Sequence, residues 1–159
     1  MRFLGISTHG PAEMVADMIK SGRFDVITLG YNVLNCKRQH ADGEDLARTG
    51  EELLPLAAAH NVGITVMKPF GGGALTTPRY TSEGRKVELP PLQLLKYCVA
   101  NPHVASVTPG VETVAQVDDA ISAGQDDAVL TEEELEEPLE QLELELLAGD
   151  VEMGVAREI

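Results

Sequence analysis

The residues with the clearest capacity for chemistry are three consecutive glycines, Gly71 to Gly73, which follow an apolar run ending at Lys68. Because glycine has no Cβ, such a segment lets backbone N–H groups approach an anion closely. A second segment of this kind, Pro109-Gly110, leads into an amphipathic stretch whose N-terminus would add further N–H donors. Together the two segments predict an anion-binding site. The same glycines also suit a flexible turn without a ligand, and the sequence leaves both interpretations open.

Other kinds of chemistry receive little support. His40, His60 and His103 do not have the spacing of metal ligands. Cys36 and Cys98 form no CxxC pair, which favours a reducing, cytoplasmic compartment, and the apolar pattern around Cys98 predicts a buried side chain. The sequence has no Gly-x-Gly-x-x-Gly motif, which argues against a Rossmann fold. No apolar run reaches the roughly 18 residues of a membrane span, and the start lacks the apolar core of a signal peptide.

A short apolar run followed by an amphipathic stretch occurs four times along the chain. These elements would position the two glycine-containing segments. Strands are predicted near residues 3–7, 24–29, 63–68 and 104–108. Helices are predicted at 11–21, at 51–60, after Pro90-Pro91, and at 112–123, the last with Val114, Val117, Ala120 and Ile121 facing inward. Connections too long for hairpins predict parallel strands in an α/β fold, with sites at the carboxyl ends of the strands.

The charge divides the chain into two parts. Residues 1–125 hold 13 acidic and 11 basic residues, a balance of -2, whereas residues 126–159 hold 13 acidic residues and only Arg157, a balance of -12. The second part begins a new helix with a Thr131–Glu134 capping box and a leucine stripe at 135, 139, 142 and 146. We therefore expect a domain at 1–125 and an acidic helix and tail at 126–159. Such acidity disfavours nucleic acid and anionic membranes as partners.

Four segments at the strand ends resemble the aldo-keto reductase family. Residues 5–9 read Gly-Ile-Ser-Thr-His, 24–32 end in Tyr-Asn, 66–73 read Val-Met-Lys-Pro-Phe-Gly-Gly-Gly, and 101–110 run from Asn-Pro to Val-Thr-Pro-Gly. They are similar, in order and spacing, to the fifth to eighth strands of the family. The resemblance implies half of a (β/α)8 TIM barrel, with four parallel βα units over residues 1–125 plus the C-terminal acidic helix.

The same resemblance implies a cofactor, NADP or NAD. The positions that would contact it are Ser7, Thr8, Thr28, Lys68, Gly71, Gly72, Gly73, Pro109, Gly110, Thr113 and Gln116. Three positions depart from the family: Met67 stands where a tyrosine often stacks on the nicotinamide, Thr28 where a glutamine is common, and Ala120 where an asparagine is common. We expect weak binding by the chain alone, because half of the family's cleft would be absent and Met67 cannot stack as a tyrosine does. Ser7 and Thr8 also suit a strand-end cap, and Lys68 an ordinary surface lysine.

The resemblance implies no catalytic residue in this chain. The family's tetrad of Asp, Tyr, Lys and His lies on its first four strands, which the resemblance places before Met1, so that His9 and Lys68 are not members of it. One expected function is therefore an NAD(P)H-dependent oxidoreductase that transfers hydride to a carbonyl substrate, or the C-terminal half of one. The alternative is a non-catalytic nucleotide-binding or assembly module derived from the family.

A half-barrel also implies a partner, either in a homodimer or as a complementary half-barrel chain. Its two outer strands would have unpaired edges, and inward side chains such as Phe3, Ile27, Val66 and Val107 would lose their cover. Fold-back of the acidic helix over the open face is the other possibility that the sequence leaves.

Overall fold

A computed structural model describes residues 2–33, 49–73, 75–76, 79–80, 86–87 and 90–125. Of 79–80 and 86–87, and of Glu51, only the backbone is described. The predictions made for the acidic helix, its capping box and its leucine stripe fall in 126–159 and lie outside the described residues, as do Cys36 and His40.

Four parallel strands form the central sheet: β1 (Gly5–Ser7), β2 (Val26–Gly30), β3 (Gly63–Met67) and β6 (Ser106–Thr108). Two further short strands, β4 (Arg79–Tyr80) and β5 (Lys86–Val87), lie in the long loop between β3 and β6. They lie side by side in the order β1-β2-β3-β6, and every pairing between them is parallel. The predicted α/β fold is therefore confirmed. β1, β2 and β6 begin two residues later than predicted, whereas β3 begins at Gly63 as predicted. β1 and β6 are the two edges of this sheet.

The loop after β3 contains structure that the sequence pattern did not predict. Its glycines form a short 3-10 turn at Gly71–Gly73. Farther along, β4 (Arg79–Tyr80) pairs with β5 (Lys86–Val87) in an antiparallel ladder of two residues each. Strands this short carry too little alternation to be recognised from sequence.

The helices follow the strands as predicted. They are α1 (Ala12–Lys20), α2 (Leu54–Ala59), α3 (Pro91–Ala100) and α4 (Val114–Ala123), and a π-helical turn at Thr49–Leu53 precedes α2. Proline stands in the first turn of both α2 and α3, where the missing N–H breaks no helical bond. None of the described helices is long and apolar enough to cross a membrane.

The core lies between the sheet and the helices. Ile27 and Leu29 on β2 and Ile64 and Val66 on β3 point to this side, and they pack with buried side chains of α1, α2 and α3. The expectation that Ile27 and Val66 would face the open side is therefore wrong, because their register places them under the helices. Val107 is partly buried against the same cluster, while Phe3 is exposed.

The last described helix differs from its prediction. Val114, Val117 and Ile121 were expected to face inward, but they are 78%, 40% and 59% exposed, and Ala123 is the buried residue of α4. Helix α4 packs beside α3. Its apolar stripe, Val114, Val117 and Ile121, is therefore left exposed in the part of the chain that the structure describes.

Candidate functional site

A cavity of about 590 Å³ opens at the carboxyl ends of β3 and β6. Its walls are the loop residues from Lys68 to Gly73 together with Thr76, the first half of α3 from Pro91 to Leu95, and the segment 110–119 that leads into α4. Sites of this volume commonly hold small molecules or cofactors. The cavity brings together two segments that are distant in sequence, the glycine loop and Pro109-Gly110 with the helix that follows.

Lys68 enters this cavity from a strained backbone position. It follows β3 directly and has a φ of 57°, in the left-handed region that a lysine rarely adopts. Two hydrogen bonds hold its carbonyl oxygen: Asn32 Nδ2 donates to it at 3.1 Å, and the Gly71 N–H donates at 2.9 Å. Backbone strain that the surroundings enforce in this way is typical of functional sites.

The glycine loop is open on the side of the cavity. A Cβ placed on Gly72 or Gly73 would have nothing within 4 Å, and both residues have positive φ angles, 69° and 93°. The loop already uses part of its donor capacity, because the Gly71 N–H bonds to Lys68 and the Gly73 N–H donates to the Phe70 carbonyl at 2.9 Å. Within the described residues, the Gly72 N–H has no acceptor. An anion here would therefore meet the Gly72 N–H and the Lys68 ammonium group.

The N-terminus of α4 is capped by its own side chains. The Gln116 N–H donates to Thr113 Oγ1 at 3.3 Å, while Gln116 Oε1 accepts from the backbone N–H groups of Glu112 at 2.6 Å and Thr113 at 3.1 Å. The N–H groups at this helix end were predicted to bind an anion, but the capping box already uses them as donors. The Thr-x-x-Gln pattern that signals it was present in the sequence, and Gln116 still lines the cavity.

Two acidic side chains of the cavity were not singled out from the sequence. Glu112 and Asp119 line the same wall as Gln116. Asp119 lies three residues after Gln116 on α4, a separation that places two side chains on one face of a helix, whereas Glu112 precedes the N-cap residue Thr113. That spacing was visible in the sequence, but the direction in which this face points was not.

A row of hydroxyl groups crosses the open face of the sheet, opposite the core. Ser7 pairs with Thr28, Thr28 with Thr65, and Thr65 with Ser106, so that the row spans all four strands. Thr65 Oγ1 and Ser106 Oγ lie 3.0 Å apart, and the Ser7 hydroxyl donates to Met67 Sδ at 4.0 Å. The open face is therefore polar, in contrast to the apolar face that the sequence analysis expected.

The predicted site residues thus fall into two groups. The first, lining the cavity, comprises Lys68, Gly72, Gly73, Gly110 and Gln116. Ser7 and Thr28 lie outside the cavity, on the polar open face.

The remaining predicted residues flank these groups. The Thr8 N–H donates to the Thr28 carbonyl at 3.0 Å, and Thr8 Oγ1 accepts from the Gly10 N–H at 3.0 Å. Gly71 and Pro109 adjoin the cavity lining, and Thr113 is the N-cap residue of α4.

Cys98 belongs to the core, as predicted. It is completely buried on α3, where its thiol donates to the Tyr31 carbonyl at 3.6 Å, and burial raises its pKa to about 12. The Tyr31 ring stacks on Tyr97 with 5.6 Å between ring centroids, and Asn101 Nδ2 donates to its hydroxyl at 3.3 Å. A thiol that keeps its proton in this way is inert. Among the described residues there is also no group of three or more metal-ligating side chains.

The fold and the cavity define a parallel α/β half-barrel with a candidate site at the carboxyl ends of its strands, similar to half of a TIM-barrel aldo-keto reductase. The solved structures that the chain resembles include the aldo-keto reductase AKR11C1 from Bacillus halodurans in its holo form, with a TM-score of 0.60 and 25% identity. The apo form of the same protein gives a TM-score of 0.59 and 25% identity. Both matches cover 89% of this chain and 50% of the matched chain, so this chain spans about half the length of the structures that it matches. No family model and no curated protein matches the sequence. The predicted resemblance to the family is thus confirmed through the structure.

Proposed function

We propose that this chain forms the dinucleotide-binding part of an NAD(P)H-dependent oxidoreductase of the aldo-keto reductase type. The observation that carries the proposal is the cavity at the ends of β3 and β6, which combines the Lys68 ammonium group with an open glycine turn. A pyrophosphate requires a cation and N–H donors without Cβ atoms in the way, and this wall offers both. The half-barrel similarity to an aldo-keto reductase supports the same assignment.

The residues present fit such a cofactor along the sheet. Lys68 and the Gly72 N–H would hold the pyrophosphate, while the hydroxyl groups of Ser7 and Thr28, on the two strands beyond β3, would meet the amide of the nicotinamide. Met67, at the end of β3, would flank the ring. When bound, the cofactor supplies a hydride for the reduction of a carbonyl group. The chain's own residues bind and orient it.

We assign no catalytic residue to this chain. His9 is exposed on the loop after β1, and Lys68 serves the cavity. The proton that a carbonyl reduction requires would come from four further βα units of a complementary half-barrel chain, because a second copy of this chain would lack the same residues. The edges of β1 and β6 would pair with those units, and the exposed stripe of α4 would pack against one of their helices. The unpaired thiol of Cys98 supports a cytoplasmic location.

Calorimetric titration of the full chain with NADPH and with NADH tests the proposal. We expect measurable binding, weaker than micromolar, and a loss on the order of ten-fold in Lys68→Ala, because a charge-assisted contact is removed. Lys20→Ala is the matched control, since it removes the same charge from the last turn of α1. Absence of binding by both dinucleotides would contradict the proposal. Carbonyl-dependent oxidation of NADPH by the pure chain would contradict the assignment of catalysis to other units.

A second function, that of a non-catalytic assembly module, is favoured by one observation. The stripe of α4 exposes Val114, Val117 and Ile121, and Val111 beside it is 44% exposed. Exposed apolar patches of this kind mark interaction surfaces. Light scattering of the full chain distinguishes the cases: a dimer that persists while neither dinucleotide binds supports the assembly function, whereas a stable, well-folded monomer contradicts it.

A further inference from the structure

The wall of the cavity formed by α4 is acidic. Glu112 and Asp119 line it, and Gln116 between them is neutral. The opposite wall contributes Lys68, and the described lining includes no other cation. Neither carboxylate has an ion-pair partner among the described residues, so no described cation offsets the acidic character of this wall.

The order of the strands determines which part of a dinucleotide would meet this wall. If the nicotinamide lies over β1 and β2 and the pyrophosphate lies at Lys68 after β3, the adenosine must extend toward β6 and α4, because the strands lie in the order β1-β2-β3-β6. The adenosine ribose would therefore lie beside the segment 110–119.

NADPH differs from NADH by a phosphate on that ribose. A phosphate monoester carries a charge of about -1.5 to -2 near neutral pH. Sites that bind such a group offer arginine or lysine, whereas carboxylates repel it. Lys68 is already engaged by the pyrophosphate in this arrangement, so nothing in the described wall offsets the repulsion.

We propose that Glu112 and Asp119 make this site select NADH over NADPH. The inference rests on the proposed function, because it concerns the same cavity. Both side chains are exposed, so solvent screens their charge and each contributes on the order of three-fold to the ratio of dissociation constants. The pair together gives a preference of roughly ten-fold for NADH, which decreases as the salt concentration rises.

Calorimetric titration of the full chain with NADH and with NADPH, at low and at high salt, measures this ratio. We expect Glu112→Gln and Asp119→Asn each to reduce the preference by about three-fold, and the double variant to bring the two dissociation constants within about two-fold of each other. Asp118→Asn is the matched control, because it removes the same charge from the same helix at a position that does not line the cavity. Circular dichroism verifies that each variant folds.

The other possible outcomes of these titrations separate a failure of the selectivity from a failure of the proposed function. Equal or tighter binding of NADPH by the unaltered chain overturns the selectivity while the proposed function stands. A preference for NADH that the double variant retains overturns the role of these two residues. Failure of both dinucleotides to bind overturns the proposed function and the selectivity together.

Discussion

Lys68 offers a test that separates backbone strain from ligand binding. Its φ of 57° places a residue with a Cβ in the left-handed region, at a cost of about 1–2 kcal/mol. Glycine avoids this cost but loses about 0.4–1 kcal/mol through the greater freedom of its unfolded chain. We therefore expect Lys68→Gly to be more stable than Lys68→Ala by about 0.5–1 kcal/mol. Both variants lack the ammonium group, so both should lose dinucleotide affinity to a similar extent.

Urea unfolding followed by circular dichroism measures the first difference, and calorimetry measures the second. The bond from Asn32 to residue 68 survives in both variants because it is accepted by the main-chain oxygen. Equal stability of the alanine and glycine variants would contradict the strain at residue 68. Dinucleotide binding by either variant as tight as that of the unaltered chain would contradict the role of the ammonium group.

Three further predictions concern stability. Above pH 9.0, the ordinary pKa of the thiol, an unfolded chain loses the Cys98 proton that the folded chain keeps to about pH 12, so the free energy of unfolding should fall between these values by roughly 1.4 kcal/mol per pH unit. Urea melts should show that Cys98→Ala removes this part of the slope, and an unchanged slope would contradict the burial argument. Ile64→Ala, at a completely buried position of β3, should cost about 2–5 kcal/mol in the same melts, against less than about 0.5 kcal/mol for Val114→Ala on the exposed stripe; equal costs would refute the described core. Thr113→Ala should cost about 1 kcal/mol by removing the cap of α4, and Thr113→Ser, which keeps the hydroxyl, should cost less; equal losses would show that the hydroxyl has no part in the cap.

The local elements of this protein could be predicted from the sequence because their signals are local. The strand predicted at 63–68 is β3 at Gly63–Met67, and the prolines before residue 92 locate the start of α3 at Pro91. The burial of Cys98 was also predictable, since its helix is apolar on that side. Parallel pairing followed from the length of the connections, because a chain that crosses over through a helix returns in the same direction.

The candidate site was predictable only in part. Lys68 and the glycines were identified from their types and order, and the structure brings them to one cavity with Gly110 and Gln116. The acidic wall was missed because helical spacing relates Asp119 to Gln116 on α4 but does not show what that face meets, and Glu112 lies before the helix begins.

The tertiary structure alone decided which faces are covered. The period of a strand places alternate residues on opposite sides but does not say which side receives the helices, and for this reason Ile27 and Val66 were assigned to the wrong one. The row from Ser7 to Ser106 likewise depends on the register between strands that are far apart in sequence. Register and the orientation of α4 are set by packing among distant residues, whereas the type and order of the elements follow from short-range patterns that the sequence carries by itself.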